Sequence, residues 1–183
     1  TSRYGLPREA TLQDGIRSGA DVVLASADKL LGGPQAGLIL GKLDTIAAIR
    51  RHPLARALRI DKLTLAALEA TLRLYRDGRE EEIPTIQAIA RNPKDLRRIA
   101  FRLARAFAGR SEVRPCMTEI GGGAAPGAGL PGFAAVLTTN DPESGAKSLR
   151  QNNPAIITRL HEGAIWLDPR TLEQSEIAAV IRA

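Results

Sequence analysis

The chain has 183 residues, 44% hydrophobic and 25% charged, with 17 Gly and 11 Pro, a balance that excludes a disordered, collagen-like or coiled-coil chain. No apolar run approaches the ~20 residues that span a bilayer, and the single Cys116 excludes a disulfide framework or a Cys-rich zinc site. The expectation is therefore a soluble, cytoplasmic protein with no membrane partner. The net charge of +6 is uneven: residues 1–49 carry five basic and five acidic side chains, 50–110 fifteen and seven, and 111–183 six and eight. The basic middle third reads either as a solvated helical face or as an anion- or RNA-binding surface. Aromatic residues, at 3%, argue against a base-stacking platform. The opening Thr-Ser-Arg-Tyr-Gly-Leu-Pro, without Met, reads as mid-protein sequence and predicts a fragment.

In chain order, Gly5-Leu6-Pro7 predicts a turn, residues 10–19 a short helix, and Asp21–Ser26 a fully apolar buried strand. Gly32-Gly33-Pro34 breaks the chain before a second strand at Ala36–Leu40, and Asp44–Arg51 has helical spacing that stops before Pro53. This alternation predicts the tail of an α/β domain with a mainly parallel sheet, whose exposed edges would favour self-association. From Thr64, Leu65, Leu68, Leu72 and Tyr75 fall at helical spacing and Asp77-Gly78 ends the helix. Pro93 opens the next helix, with Leu96, Ile99, Ala100, Leu103 and Phe107 as its buried stripe. Strand-like pieces follow at Val113–Ile120, Ala134–Thr139, Ala155–Leu160 and Ala164–Leu167, with a Gly-rich loop at Gly121–Gly129 and a helix at Ser175–Arg182. Together they predict a compact α+β lobe.

The chemistry-bearing stretch is Ser26-Ala27-Asp28-Lys29-Leu30-Leu31-Gly32-Gly33-Pro34-Gln35-Ala36-Gly37. A lysine between a strand and a Gly-Gly-Pro turn stands where α/β proteins build sites, and a desolvated amine there can form a Schiff base. Ser26 offers a hydroxyl to a phosphate, and Gly32 and Gly33 offer close backbone approach and N–H donors. A solvent-exposed lysine at a strand end would show the same spacing. His52 and His161 have no partners at metal spacing, so no metal is expected, and a helix-terminal contact is the simpler reading of His52. Cys116 reads as a buried strand residue, Trp166 as core, and Gly121-Gly122-Gly123 as a connection without the Lys-Ser/Thr ending of a phosphate loop.

This stretch resembles the lysine-bearing turn of fold-type I pyridoxal-phosphate enzymes, and most closely the cofactor loop of the bacterial selenocysteine synthase family, the L-seryl-tRNA(Sec) selenium transferases. The resemblance extends to Tyr4-Gly5-Leu6-Pro7, to His52-Pro53-Leu54-Ala55-Arg56-Ala57-Leu58-Arg59, to Asp61-Lys62 and Thr64–Leu72, and to Trp166-Leu167-Asp168-Pro169-Arg170-Thr171-Leu172. It is strong over 4–75 and looser beyond. Ala27 departs from it, standing where the family usually has Gly.

The resemblance implies an α/β chain: the C-terminal remnant of a fold-type I large domain over 1–60, then a small α+β domain over 61–183. It implies pyridoxal 5'-phosphate held by Lys29 with Ser26, Gly32 and Gly33, and Asp28 as the neighbour that orients Lys29, although turn capping is an equal reading of Asp28. Arg56 and Arg59 match family active-site positions, share a face if that stretch is helical, and suit selenophosphate. The implied reaction converts seryl-tRNA(Sec), through a dehydroalanyl intermediate, to selenocysteinyl-tRNA(Sec). The tRNA would be held mainly by an N-terminal region absent here, in a homo-oligomeric enzyme. Also absent is the Asp that pairs with the pyridine nitrogen, so the chain alone is expected to be inactive. Two other readings stand: a related fold-type I lyase acting on a small amino acid or amino sugar without tRNA, and a basic RNA-binding or assembly module.

Overall fold

The computed structural model describes residues 2–107, 109–121 and 127–182, so the Gly-rich loop expected over 121–129 lies outside them at 122–126. The chain forms two compact units, one running to Ala90 and the other over 91–120 and 127–182. No helix among the described residues is long and apolar enough to cross a membrane.

The first unit opens with helix α1 (Leu12–Arg17), started by a reciprocal cap in which the Asp14 N–H donates to Thr11 Oγ1 and the Thr11 N–H to Asp14 Oδ2, both at 3.1 Å. Strands β1 (Val22–Ser26) and β2 (Gly37–Gly41) then pair antiparallel, from Val22 opposite Gly41 to Ser26 opposite Gly37. The parallel arrangement expected from the sequence is corrected here. Residues 27–36 fold as a tight turn, and a parallel return needs a crossover of a dozen residues or more. Nor is β1 a buried strand, because Leu24 is 70% exposed.

Helix α2 (Leu43–Arg51) stops where Pro53 pushes His52 into extended backbone. His52 then caps the short helix α3 (Pro53–Ala57), its Nδ1 accepting from the Leu54 N–H at 3.2 Å. Helix α4 (Lys62–Arg76) is capped by Asp61, which accepts from the Leu63 and Thr64 N–H groups at 2.7 and 3.0 Å. Helix α5 (Pro84–Ala90) completes the unit, burying Ile86 and Ile89. Of the expected α4 stripe only Leu68 is fully buried, whereas Leu65 and Leu72 are exposed. Leu68 and Thr71 pack against Gly33. The compact unit runs to Ala90.

In the second unit, Asn92 caps helix α6 (Pro93–Ala106) through the Lys94 N–H, with Pro93 in its first turn as the sequence predicts. Strands β3 (Ser111–Glu119) and β4 (Gly129–Leu137), helix α7 (Pro142–Gln151), strands β5 (Arg159–His161) and β6 (Ala164–Leu167), and helix α8 (Gln174–Arg182) follow. The sheet is antiparallel in the order β3-β4-β6-β5. One core joins Leu103 of α6, Ala135 and Leu137 of β4, Ala146 of α7 and Ile177 and Val180 of α8. A smaller cluster joins Ala134, Val136, Ala164 and Trp166, with Cys116 against it. The expected α+β lobe is present, with two differences: α7 was not anticipated, and the strand expected over Ala155–Leu160 is confined to Arg159–His161.

Leu103 is fully buried. Leu103→Ala is expected to cost about 2–5 kcal/mol in urea unfolding of the second unit, whereas Leu65→Ala, at an exposed position of α4, should stay within about 0.5 kcal/mol.

Candidate active site

The site grows from the turn that joins β1 to β2. Ala27 is fully buried, its N–H donating to the Ala36 carbonyl at 2.9 Å and its carbonyl accepting from the Gly33 N–H at 2.8 Å. The Gly32 N–H donates to the Lys29 carbonyl at 2.9 Å, and the Tyr75 hydroxyl of α4 donates to the Leu31 carbonyl at 3.0 Å. Gly32 has φ +71°, and a Cβ there would lie 2.5 Å from Ile83 Cγ2. These contacts anchor the loop on either side of Lys29 and leave the lysine itself exposed.

Lys29 lines a hollow of about 840 Å³ with Ser26, Asp28, Gln35, Leu58 and Ile60. The Ser26 hydroxyl donates to Asp28 Oδ1, and this bond holds the Asp28 carboxyl below the usual carboxylate range. An adjoining apolar groove of about 1490 Å³ shares Gly37, Ile39, Leu58 and Ile60 with the hollow and adds His52 and Arg59. The structure thus brings Ser26, Asp28 and Lys29 together and sets Arg59 on the neighbouring wall.

Three details differ from the sequence expectation. The N–H groups of Gly32 and Gly33 close the turn on itself, and neither residue lines the hollow, so they shape the loop instead of presenting donors to it. Helix α3 ends at Ala57, so Arg59 leaves the helix and Arg56, still on it, lines neither cavity. Lys29 is exposed, not desolvated, within this chain. Tyr75 also shapes the site: its spacing places it on the apolar stripe of α4, and only the fold shows its hydroxyl reaching the turn.

The remaining candidates are structural. The Trp166 ring N–H donates to the His161 carbonyl at 3.0 Å, with the two rings edge-to-face at 5.5 Å. Cys116 is half-buried, and burial, with Asp168 adding to it, pushes its thiol up to about 11, which opposes a nucleophilic role. No group of three or more His, Cys, Asp or Glu among the described residues is arranged to hold a metal.

The mixed α/β fold is that of a fragment of a fold-type I enzyme. The solved structure of a D-glucosaminate-6-phosphate ammonia-lyase superposes on it with a TM-score of 0.58 at 25% identity, covering 91% of this chain and 43% of that one. More particularly, residues 1–173 match the L-seryl-tRNA selenium transferase family, and the chain belongs to it. It is 48% identical over 191 residues to the L-seryl-tRNA(Sec) selenium transferase of Solidesulfovibrio magneticus, with 96% of this chain and 40% of that protein covered. It is 44% identical over 185 residues to that of Salmonella typhimurium, with 94% and 40% covered. The chain therefore spans about 40% of the length of these curated relatives. Its identity to the transferases, well above that to the ammonia-lyase, disfavours the reading as a tRNA-independent lyase.

In Ser26→Ala the Asp28 carboxyl loses the donor that stabilises its charged form. Its titration, followed by carboxyl-carbon NMR, should move up toward the ordinary aspartate value. Gly32→Ala should destabilise the first unit by about 1–3 kcal/mol in urea unfolding, since it adds both positive-φ strain and overlap with Ile83.

Proposed function

We propose that this chain supplies the cofactor-bearing lysine and part of the anion site of an enzyme that makes selenocysteinyl-tRNA(Sec) from seryl-tRNA(Sec) with selenophosphate. The observation that carries the reading is an exposed Lys29 amine at the mouth of a hollow beside Ser26 and Asp28, on the turn where the family resemblance is strongest. A cavity of this size accommodates a cofactor such as pyridoxal 5'-phosphate, and the amine is free to reach it. When bound, that cofactor supplies an electron sink for loss of the seryl hydroxyl.

The other roles belong to the chain's own side chains. Lys29 would hold the cofactor through Nζ, and its amine, at the hollow, is a group able to carry a proton there. Asp28, whose charged form the Ser26 hydroxyl stabilises, sets a negative charge beside that amine. Ser26 is the hydroxyl placed to contact the cofactor. Gly32 and Gly33 serve by holding the turn. Leu58 and Ile60 form the apolar wall shared by hollow and groove. Arg59, on the groove wall, offers planar guanidinium donors to an oxyanion such as selenophosphate; Arg56, three residues earlier in the chain, lines neither cavity.

Large exposed apolar side chains in the first unit, Leu24 at 70%, Leu43 at 83% and Leu63 at 83%, support a further element of the reading. Faces of this kind are covered in a larger assembly. The enzyme is accordingly read as a cytoplasmic homo-oligomer of longer chains, with the tRNA gripped mainly by regions outside this one and this chain inactive in isolation.

Borohydride reduction of the full-length protein with pyridoxal phosphate, followed by peptide mapping, should label Lys29 and leave Lys42, Lys62, Lys94 and Lys147 unlabelled. Label scattered over the five lysines would refute the assignment. In the same protein Arg59→Ala should raise KM for selenophosphate about tenfold or more, the effect of losing a hydrogen bond to a charged group; an unchanged KM would remove Arg59 from the anion site.

A further inference from the structure

The arginines of α4 and α6 differ in their partners. On and just after α4 they are paired with acids: Arg73 with Glu69 at 2.6 Å, Arg76 with Asp77 at 2.7 Å and Arg79 with Glu82 at 2.6 Å. On α6 the pattern is different. Lys94, Arg97, Arg98, Phe101, Arg102 and Arg105 are all exposed and together line one shallow surface. They recur at helical spacing, so the row runs about 16 Å along the helix at ~1.5 Å per residue. Among the described residues only Arg98 of this row has an acidic partner, Asp95 at 3.1 Å. The Arg97 guanidinium instead lies over two aromatic rings, 5.2 Å from the centre of Phe101 and 5.8 Å from that of Phe133. The opposite face of the same helix buries Leu96, Ala100 and Leu103, so core packing fixes which face the cations share.

We propose that this face of α6 is a docking surface for the sugar-phosphate backbone of RNA. Four cations without an acidic partner, spread along a rigid helix, match a row of phosphates in both charge sign and length. Each contact made there releases a condensed counterion, which gives binding that weakens with salt. Arginine suits the role because its fork holds a phosphate by two hydrogen bonds, and the ring-stacked Arg97 is already restrained. Phe101 is a single exposed ring, too little for base readout, so the surface grips backbone without reading sequence. The identity of the RNA as the aminoacyl-tRNA substrate rests on the function proposed above; the surface itself rests only on the charge pattern of α6.

The test compares the full-length protein with its Arg97→Gln/Arg102→Gln/Arg105→Gln variant, titrating seryl-tRNA, a generic RNA duplex and polyglutamate across a salt series. The wild type should bind both RNAs. The variant should bind them at least about tenfold more weakly, with a log-log salt slope shallower by about 2 to 3. Pyridoxal-phosphate labelling of Lys29 should be the same in both, showing that the variant is folded. Equal RNA affinity and slope in the two proteins, or no salt-dependent RNA binding by the wild type, overturns the proposal. Polyglutamate binding that the variant loses while RNA binding persists overturns it in favour of an acidic protein partner. RNA binding that depends on these arginines in a protein that cannot turn over seryl-tRNA supports the surface and refutes the proposed function instead.

Discussion

Ala27 holds the first unit together. It lies fully buried between the strands of the hairpin, donating its N–H to Ala36 and accepting from Gly33, so both backbone groups are satisfied inside the turn. Once that pair of bonds forms, residues 28–33 have little freedom. Gly32 must take a positive φ, Gly33 must lie against Leu68 and Thr71 of α4, and the Leu31 carbonyl is left facing the Tyr75 hydroxyl. Lys29 is the member of this loop whose side chain is released to solvent at the hollow. A site lysine is thus placed by backbone hydrogen bonding and by helix packing, and its own side chain contributes nothing to the anchoring. The Ala27 methyl is enclosed in that arrangement.

The two units stabilise themselves by different means. The second has an ordinary layered core, in which α6, α7 and α8 contribute apolar faces to one side of a four-stranded sheet. Among its buried polar groups, the Arg170 guanidinium donates to Thr118 Oγ1 and to the Pro131 carbonyl and Asp168 accepts from Thr118, whereas Thr158 Oγ1 has no hydrogen-bond partner. The first unit buries fewer large side chains and leaves Leu24, Leu43, Leu58 and Leu63 exposed. Its order comes to a greater extent from caps and turns: the Thr11–Asp14 pair, His52 before Pro53, and Asp61 on α4. That difference suits a unit whose hollow and groove are open to further polypeptide, in a family whose members are more than twice this length.

Charge follows the same division. The basic surplus noted in the middle of the sequence separates in three dimensions into neutralised pairs along α4 and an uncompensated row on α6. Pairing of exposed ions contributes little to stability. The consequence of the separation is therefore one of potential: the arginines on and just after α4 sit in ion pairs, and four of the five cations of the α6 row have no acidic partner among the described residues.

Much of this architecture was legible in the residues themselves. Strands β1 and β2 were legible to within a residue or so because glycine and proline punctuate short apolar runs, and α6 because Pro93 opens a stripe repeating every three to four residues. The Lys29 turn was recognisable because its motif is contiguous. Helix α7 was overlooked although Asp141 and Pro142 form a start signal, since its ten residues bury only Ala146 and show no stripe. What the sequence by itself determined were features set by neighbours along the chain: caps, breaks, periodicity and the family motif. The antiparallel pairing of β1 with β2, the engagement of the Gly32 and Gly33 N–H groups within the turn, the separation of Arg56 from Arg59 and the inclusion of α4 in the first unit were decided only by the tertiary structure. Each depends on which distant groups satisfy a backbone donor or fill a space, and residue spacing carries no record of that.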